Sequence, residues 1–597
     1  KEMAGSPSPE GDAPPSNDTN AGQNAPVDVN MPTPDPNREI VEADIFKVEG
    51  DHLYIMNAYR GFVIIDVSQV DHPKITGRYP FQAQPVEMYV RDNRAYVISS
   101  DYFEYWMYDE DSDPLGFHGS QVLILDITDP TNPEKLGSMA VDGEITDTRM
   151  VGDVLYVVSK RQPEYWRYNT VDWEDNTWVA SLNIADPSNI QKIDQVEFPG
   201  TSTLIHVAPH AIFVAAVDPN YYLYDEFNEQ ESLITYVDIS NPTGDIFSRG
   251  SIYVPGYIQD KFKLDYFDKT LRVFSQQYWS GKRYLTNIDV SKPDTLTIAA
   301  KKTIFDKYSN YGDLQATRFD EGVGYALFRN WYNDWYNSEL LTLDLTDPKN
   351  PLVTDNHTVE GYVTHLETRD DRLIALGGGR TKQQCDYAGY YDCYYYHAKV
   401  WLFNTADIHQ ITDLSSVNLE KNSWSEAQND YKAFKVVDSL NVILLPISYW
   451  DNNYYHQFNG SQLIEWKNDT LTARGQIAQV DTVRRVVPVK DRLVAISESQ
   501  IQVIDAQNLD KPIITSALYL QRNALDIFEI GGKQIQLLGA DHQSGLRIEV
   551  IEFGKDDNPV PLATLKLPFN YQPVVFKDGN FLHMIGWEEI NGNHQQM

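Results

Sequence analysis

The chain has 597 residues, 42% of them hydrophobic and 12% aromatic, enough to bury a large core. Its formal net charge is −37, and so acidic a surface repels phosphate backbones, which argues against a nucleic-acid partner. No apolar run approaches the roughly eighteen residues a membrane span needs, so no transmembrane segment is expected.

Residues 1–38 are rich in Pro, Gly, Ser, Asn and Asp and nearly lack large apolar side chains. That composition cannot form a core and predicts a flexible, partly extended tether. Such tethers often follow a lipid-modified cysteine or a signal-cleavage site in exported bacterial proteins. The chain begins with Lys rather than Met, as expected if a targeting signal has been trimmed. An extracellular or cell-surface location is therefore expected, with lipid-anchored attachment through the tether as one form of it.

From Glu39 a repeat begins, and residues 39–590 are assigned to it. Its clearest element is VLILDITDPTNPEK at 122–135: an apolar, β-branched run, an Asp, then an Asp-Pro turn. The run predicts a buried strand, and the turn ends it because Pro cannot give an N–H to a ladder. Near-copies follow Phe62, Trp178, Leu233, Tyr284, Glu339 and Ile501. One full unit spans 86–141, with a first strand VEMYVRD, a tight polar turn at Asp92-Asn93 and a second strand RAYVISS. A long loop, QVLILDIT, a DP turn and EKLGSMAV complete it. Four antiparallel strands recurring about every fifty residues predict an all-β fold, a β-propeller of about ten four-stranded blades. Ten units carry four strands and an eleventh carries two. Either one large ring or two tandem propellers would hold them. No Pro/Gly-rich break separates the units, which favours the single ring.

The loops between second and third strands differ from everything else. They carry DYFEYWMYDEDSDPLGFH, RQPEYWRYNTVDWEDNT, DPNYYLYDEFNEQE, QYWSGKR, NWYNDWYNS, the Cys/Tyr-rich 378–398 and YWDNNYYHQFNG. Equivalent loops of a propeller emerge on one face, so these seven predict an acidic, aromatic rim. Tyr and Trp offer rigid amphipathic contact area at low entropic cost, which suits sugar rings or extended peptides. The candidate binding residues are Tyr105, Trp106, Tyr165, Trp166, Tyr222, Trp331, Trp335, Tyr395 and Trp450. The alternative is that these rings pack on one another as a lid.

Asp109, Asp111 and Asp113 alternate like the first ligands of a calcium loop but lack its central Gly and closing Glu. They are the candidate Ca2+ ligands, with Asp172, Glu174 and Asp175 a weaker set; a solvated acidic loop is the simpler reading. Cys385 and Cys393, the only cysteines, stand eight apart in a polar loop and predict one local disulfide in an oxidising compartment. Aligning the first strands puts Lys47, Tyr89, Arg149, His206, Arg318 and Glu367 in one column facing the channel, with His365 and Arg485 in a neighbouring one. Such a ring could hold a small anion or water, or its members could pair across the channel. No G-x-S-x-G, H-E-x-x-H or phosphate-cradling Gly loop occurs; Gly377-Gly378-Gly379 leads into a Cys/Tyr loop instead of a helix.

VEADIFKVEGDHLYIMN, EITDTRMVGDVLYVVS, VPGYIQDKFKLDYFDKTLRVFS, LLTLDLTDPKNP and DYKAFKVVDSLNVILLPIS, in that order, resemble successive motifs of the secreted bacterial and archaeal β-propeller-domain family, which is distantly similar to WD40 repeats. The resemblance runs from about Glu42 to about Pro512. It implies an exported propeller and brings no reaction or catalytic residues with it. The functional expectation is a non-catalytic binding or scaffold module whose rim takes a protein partner or glycan. The alternatives are a polysaccharide hydrolase or lyase using rim carboxylates, and a structural subunit of a cell-surface assembly.

Overall fold

The third strand of each repeat is sandwiched between two neighbouring sheets. In Gly61–Asp66, Val63 and Ile65 enter one core while Phe62 and Ile64 enter the next. Successive side chains point to opposite faces, so a strand covered on both needs an unbroken apolar run. That is why VIID and its copies do not alternate with polar residues.

The computed structural model describes residues 40–41, 43–58, 60–81, 83–107, 115–160, 176–199, 203–217, 230–277, 281–305, 313–329, 337–383, 393–450, 457–521, 524–539, 546–552, 561–569, 573–590 and 593–596. The expected tether at 1–38 lies outside them. Ten antiparallel sheets succeed one another at 46–79, 84–141, 144–199, 203–255, 264–305, 314–360, 362–418, 423–479, 483–519 and 524–566. Eight have four strands; the third gains Ile40–Val41 on its inner strand, and the eighth has a split one. Among the described residues helix occurs only as three-residue 3-10 turns. The fold is all-β, as expected.

Nine apolar cores join the first nine sheets, one between each consecutive pair and the ninth between sheets nine and one. In the ninth, Val487, Val494 and Ile501 meet Leu53, Val63 and Ile65. The circuit of cores is closed. The tenth sheet shares none of the nine, and Ile527 and Leu565 on it are more than half exposed or nearly so, at 50% and 58%.

Local chemistry sets the register. Asp92 and Asn93 both adopt positive φ, 54° and 57°, the type I′ geometry that suits the twist of a two-residue hairpin. After most third strands an Asp or Asn side chain accepts the N–H two residues on, as in Asp126 with Thr128 at 2.9 Å and Asp344 with Thr346 at 3.0 Å. A second such turn follows at once, Asp129 with Thr131 at 2.9 Å. The DITDP motif is thus two consecutive Asx turns. The outer strand of the preceding sheet carries Gly where the next sheet's turn presses in. A β-carbon on Gly77 would lie 2.2 Å from the Pro130 carbonyl oxygen, and one on Gly137 2.3 Å from that of Pro187.

Because strands alternate in direction, the DP turns and the first hairpin turns share one face, and the ends of the second strands and starts of the third strands share the other. The centre is not open. The lead-in crosses it, with Ile40–Val41 on the third sheet, Asp44 bridged to Met88 of the second, and then the first sheet itself. A 3-10 turn, Lys261–Lys263, precedes the fifth sheet and another, Tyr431–Ala433, lies within the eighth; they meet across the axis.

Candidate functional site

Two surfaces present chemistry: the rim and the axial channel. At the rim the seventh sheet is the best defined. Its second and third strands, Arg372–Gln383 and Cys393–Asn404, pair as far as Gln383 with Cys393, so this hairpin stands beyond the sheet. The run Gly377-Gly378-Gly379 is what lets it pass. A β-carbon on Gly377 would fall 1.9 Å from the Tyr362 carbonyl oxygen, and one on Gly378 2.5 Å from the Tyr362 ring. These glycines serve packing.

On that hairpin Arg380 stacks over Tyr394 at 4.4 Å, and Lys421 lies 5.4 Å from the centre of the Tyr395 ring. Tyr396 is 48% exposed. His397 is buried, its ring nitrogen 3.1 Å from the Thr381 hydroxyl, and burial pushes its pKa down. Trp450, last residue of its strand, is 38% exposed, whereas its neighbour Tyr449 stacks on Phe458 with ring centres 4.6 Å apart. One aromatic is presented and the next is packed, so the rim uses both roles.

Tyr165, Trp166, Tyr222, Trp331 and Trp335 lie outside the described residues, as do Asp109, Asp111, Asp113 and Cys385. Tyr105, Trp106 and Cys393 are described by backbone alone, within Arg94–Met107 and Cys393–Asn404. Among the described residues no group of His, Cys, Asp and Glu could hold a metal ion. Tyr396 was not singled out in the sequence, although it belongs to the same YYYH run.

The aligned column is real in register. Lys47, Tyr89, Arg149, His206, Arg318 and Glu367 face Tyr54, Tyr96, Tyr156, Phe213, Tyr325 and Ile374 on their second strands. Arg149, His206, Arg318 and Glu367, with His365, line one cavity of about 660 Å3. Tyr89 instead enters the core between sheets two and three, and Lys47 is exposed away from the cavity. A second cavity, about 640 Å3, opens toward the rim and is lined by Asp44, Glu87, Asp147, Asp430, Arg485 and Glu498 among others.

The two 3-10 turns divide these cavities. Lys261 Nζ donates to the Tyr431 hydroxyl at 2.6 Å, and the Phe262 and Tyr431 rings meet edge to face at 4.9 Å. Lys432 Nζ donates to the Ala43 carbonyl at 2.6 Å and lies 3.7 Å from Glu87. The first turn is pinned from behind by buried Lys263, whose Nζ reaches Asp260 Oδ2 at 2.7 Å and the Gln315 carbonyl at 2.8 Å. Sequence spacing gives no sign that segments of sheets five and eight meet.

Three polar groups at the channel, Glu87, Tyr89 and His206, are each given a partner. Burial pushes the Glu87 carboxyl above its usual range, opposed by the hydroxyl of Thr148, which donates to it at 2.5 Å, and by Lys432. The Tyr89 hydroxyl donates in turn to Thr148 at 2.8 Å. His206 Nε2 accepts the Tyr266 N–H at 3.1 Å, and burial lowers its pKa, so the ring is held neutral with its proton on Nδ1.

The family model described as "Beta propeller domain" matches residues 36–178 and 170–509. A protein of Archaeoglobus fulgidus is 23% identical over 269 residues, 44% of this chain and 36% of that protein. Another, MJ1554 of Methanocaldococcus jannaschii, is 25% identical over 288 residues, 48% of this chain and 40% of its own length. Both are described only as uncharacterized, and the chain spans about two fifths of each. A computationally designed protein, Ika8, has a TM-score of 0.38 and 11% identity over 70% of this chain and 93% of its own. A Lactobacillus plantarum protein has a TM-score of 0.29 and 10% identity over 61% and 94%. Neither value supports an argument about shape.

Proposed function

This chain belongs to the beta propeller domain family, and from that premise we propose that it is an exported, non-catalytic recognition propeller whose aromatic rim takes a protein partner or a glycan. One observation carries the reading. The described rim aromatics Tyr395, Tyr396 and Trp450 belong to none of the nine cores, and Tyr396 and Trp450 stay substantially exposed while Lys421 holds Tyr395 and Phe458 holds Tyr449 beside them. Exposed large rings set between held neighbours are what a binding surface needs, because their backbone has little entropy left to lose on contact. Attachment at the cell surface, an oxidised Cys385–Cys393 pair and calcium held by Asp109, Asp111 and Asp113 accompany this reading as proposals.

The test pairs binding with stability for Tyr396→Ala and Trp450→Ala, read on a glycan array and in a native pull-down. Recognition by the rim predicts weaker capture, by about 2 kcal/mol at a hot spot, with an unchanged melting curve. Loss of thermal stability with capture intact would identify the aromatics as a lid.

A further inference from the structure

We infer that the channel chamber on the DP-turn side is a binding site for a small oxyanion, with Arg318 and Lys435 as its charged contacts. The chamber is the cavity of about 660 Å3 lined by Arg149, His206, Arg318, His365 and Glu367. Its charge runs against the molecule's. The chain as a whole carries −37, yet the carboxylates lining this chamber are already matched by arginines. Asp44 accepts from Arg485 at 2.7 Å, Asp265 from Arg272 at 2.8 Å, and Glu367 pairs with Arg369.

Two of the lining cations are not matched in return. Arg149 is held by Asp147, Lys261 reaches Tyr431, and Lys432 is taken up by the Ala43 carbonyl and Glu87. Arg318 and Lys435 line the chamber with no ion pair and no side-chain hydrogen bond among the described residues; Arg318 Nε is shut off from solvent, so its terminal nitrogens are the ones that can meet a ligand. A protein with 86 carboxylates has the means to pair both cations, and leaves them open to the chamber. Two cations on sheets six and eight, facing one chamber, therefore leave an acceptor to come from outside. A tetrahedral oxyanion such as phosphate fits: the guanidinium fork takes two oxygens and the ammonium a third. The volume exceeds what one such ion fills, so it would be bound with water around it. This site is independent of the rim and of any partner there.

The experiment titrates the full chain with inorganic phosphate and, separately, with methyl phosphate, by calorimetry at constant ionic strength set with chloride. Saturable binding of either is expected; binding of the ester as well identifies the terminal group of a larger ligand as the source, and binding of the ion alone identifies free phosphate. Arg318→Gln should weaken binding at least tenfold and Lys435→Met several-fold, while Lys533→Met on the tenth sheet changes nothing. Lys435 is exposed, so its variant carries the test if Arg318→Gln does not fold. Absence of saturable binding to either anion, or equal affinity in Lys435→Met and the wild type, overturns the inference.

Discussion

Arg485 of the ninth sheet grips Asp44 of the lead-in, with Nη2 2.7 Å from Oδ1 and Nε 3.0 Å from Oδ2, and the same Nη2 lies 2.7 Å from Asp430 Oδ2. Burial disfavours a charge on Arg485, yet the two carboxylates outweigh it and hold its pKa above the usual value. One buried guanidinium thus ties the start of the circuit to its eighth and ninth sheets. Arg485→Ala leaves both carboxylates facing one another near the axis. The expected loss is about 3 kcal/mol, the low end for breaking a buried pair, because both acids keep some contact with water. Urea unfolding measures it, and a midpoint within error of wild type would show that the nine cores close the circuit unaided.

The outer-strand glycines make a sharper packing test. Gly77→Ala places a methyl 2.2 Å from a carbonyl oxygen of the neighbouring sheet, and the contact atom is backbone, so two sheets must separate. Overpacking of this kind costs about 1–3 kcal/mol. Gly50→Ala is the control: its β-carbon meets nothing within 4 Å, and the cost is confined to a positive φ of 59°, about 1 kcal/mol. Gly77→Ala should be the more damaging in denaturant melts. The reverse order would mean the sheets yield easily at their outer edges.

These contacts also mark what could be read from the chain itself. Third strands and DP turns were legible because burial on both faces and paired Asx turns each leave a local signature, as in Val122–Asp126 with Thr128. The channel column was legible in register but not in fate. Arg149 and Arg318 reach the cavity while Tyr89, equivalent in sequence, turns into a core, since which way a side chain leans depends on the neighbouring sheet. The Phe262–Tyr431 contact and the grip of Arg485 on Asp44 join residues more than 160 apart in the chain, and no repeat pattern encodes them. The tenth unit repeats the antiparallel strand pattern of the others, and what sets it apart, its place outside the nine shared cores, is not written in that pattern.

The Asx turns predict how acid acts on the fold. In Asp66, Asp126, Asp186, Asp289 and Asp344 the hydroxyl and then the backbone N–H two residues on hold the carboxyl below its ordinary value of 3.8. A folded-state value below the unfolded one means the turns stabilise fully above the unfolded pKa and lose that contribution as pH falls through the folded values. The window is thus below about pH 4. Asn already serves in two copies, Asn183 accepting from Ala185 at 3.0 Å and Asn404 from Ala406 at 3.1 Å. Replacing the five Asp by Asn should keep the turns and flatten the fall in melting temperature below pH 4. Parallel acid limbs in the two proteins would assign acid sensitivity to other carboxylates, such as those paired with arginine.

The last prediction concerns the partition inside the channel. Lys263 is buried, and burial pushes its pKa below the usual value; Asp260 opposes that with a hydrogen bond at 2.7 Å. Asp260 also accepts the Phe262 N–H at 2.9 Å and so caps the turn that carries Lys261 and Phe262 to the axis. Lys263→Met keeps the length and apolar stem but strips Asp260 and the Gln315 carbonyl of a donor, an expected loss of about 2–3 kcal/mol. Tyr431→Phe removes only the hydroxyl that Lys261 meets, leaves the ring against Phe262, and should cost about 1 kcal/mol. The two variants also differ in where they act. Amide exchange at 260–263 should accelerate in Lys263→Met, because the turn loses its anchor, and stay near wild type in Tyr431→Phe, because the anchor is intact. If exchange there is unchanged in Lys263→Met, the turn is held by its contacts across the axis, and the buried lysine is a consequence of that packing, not its cause.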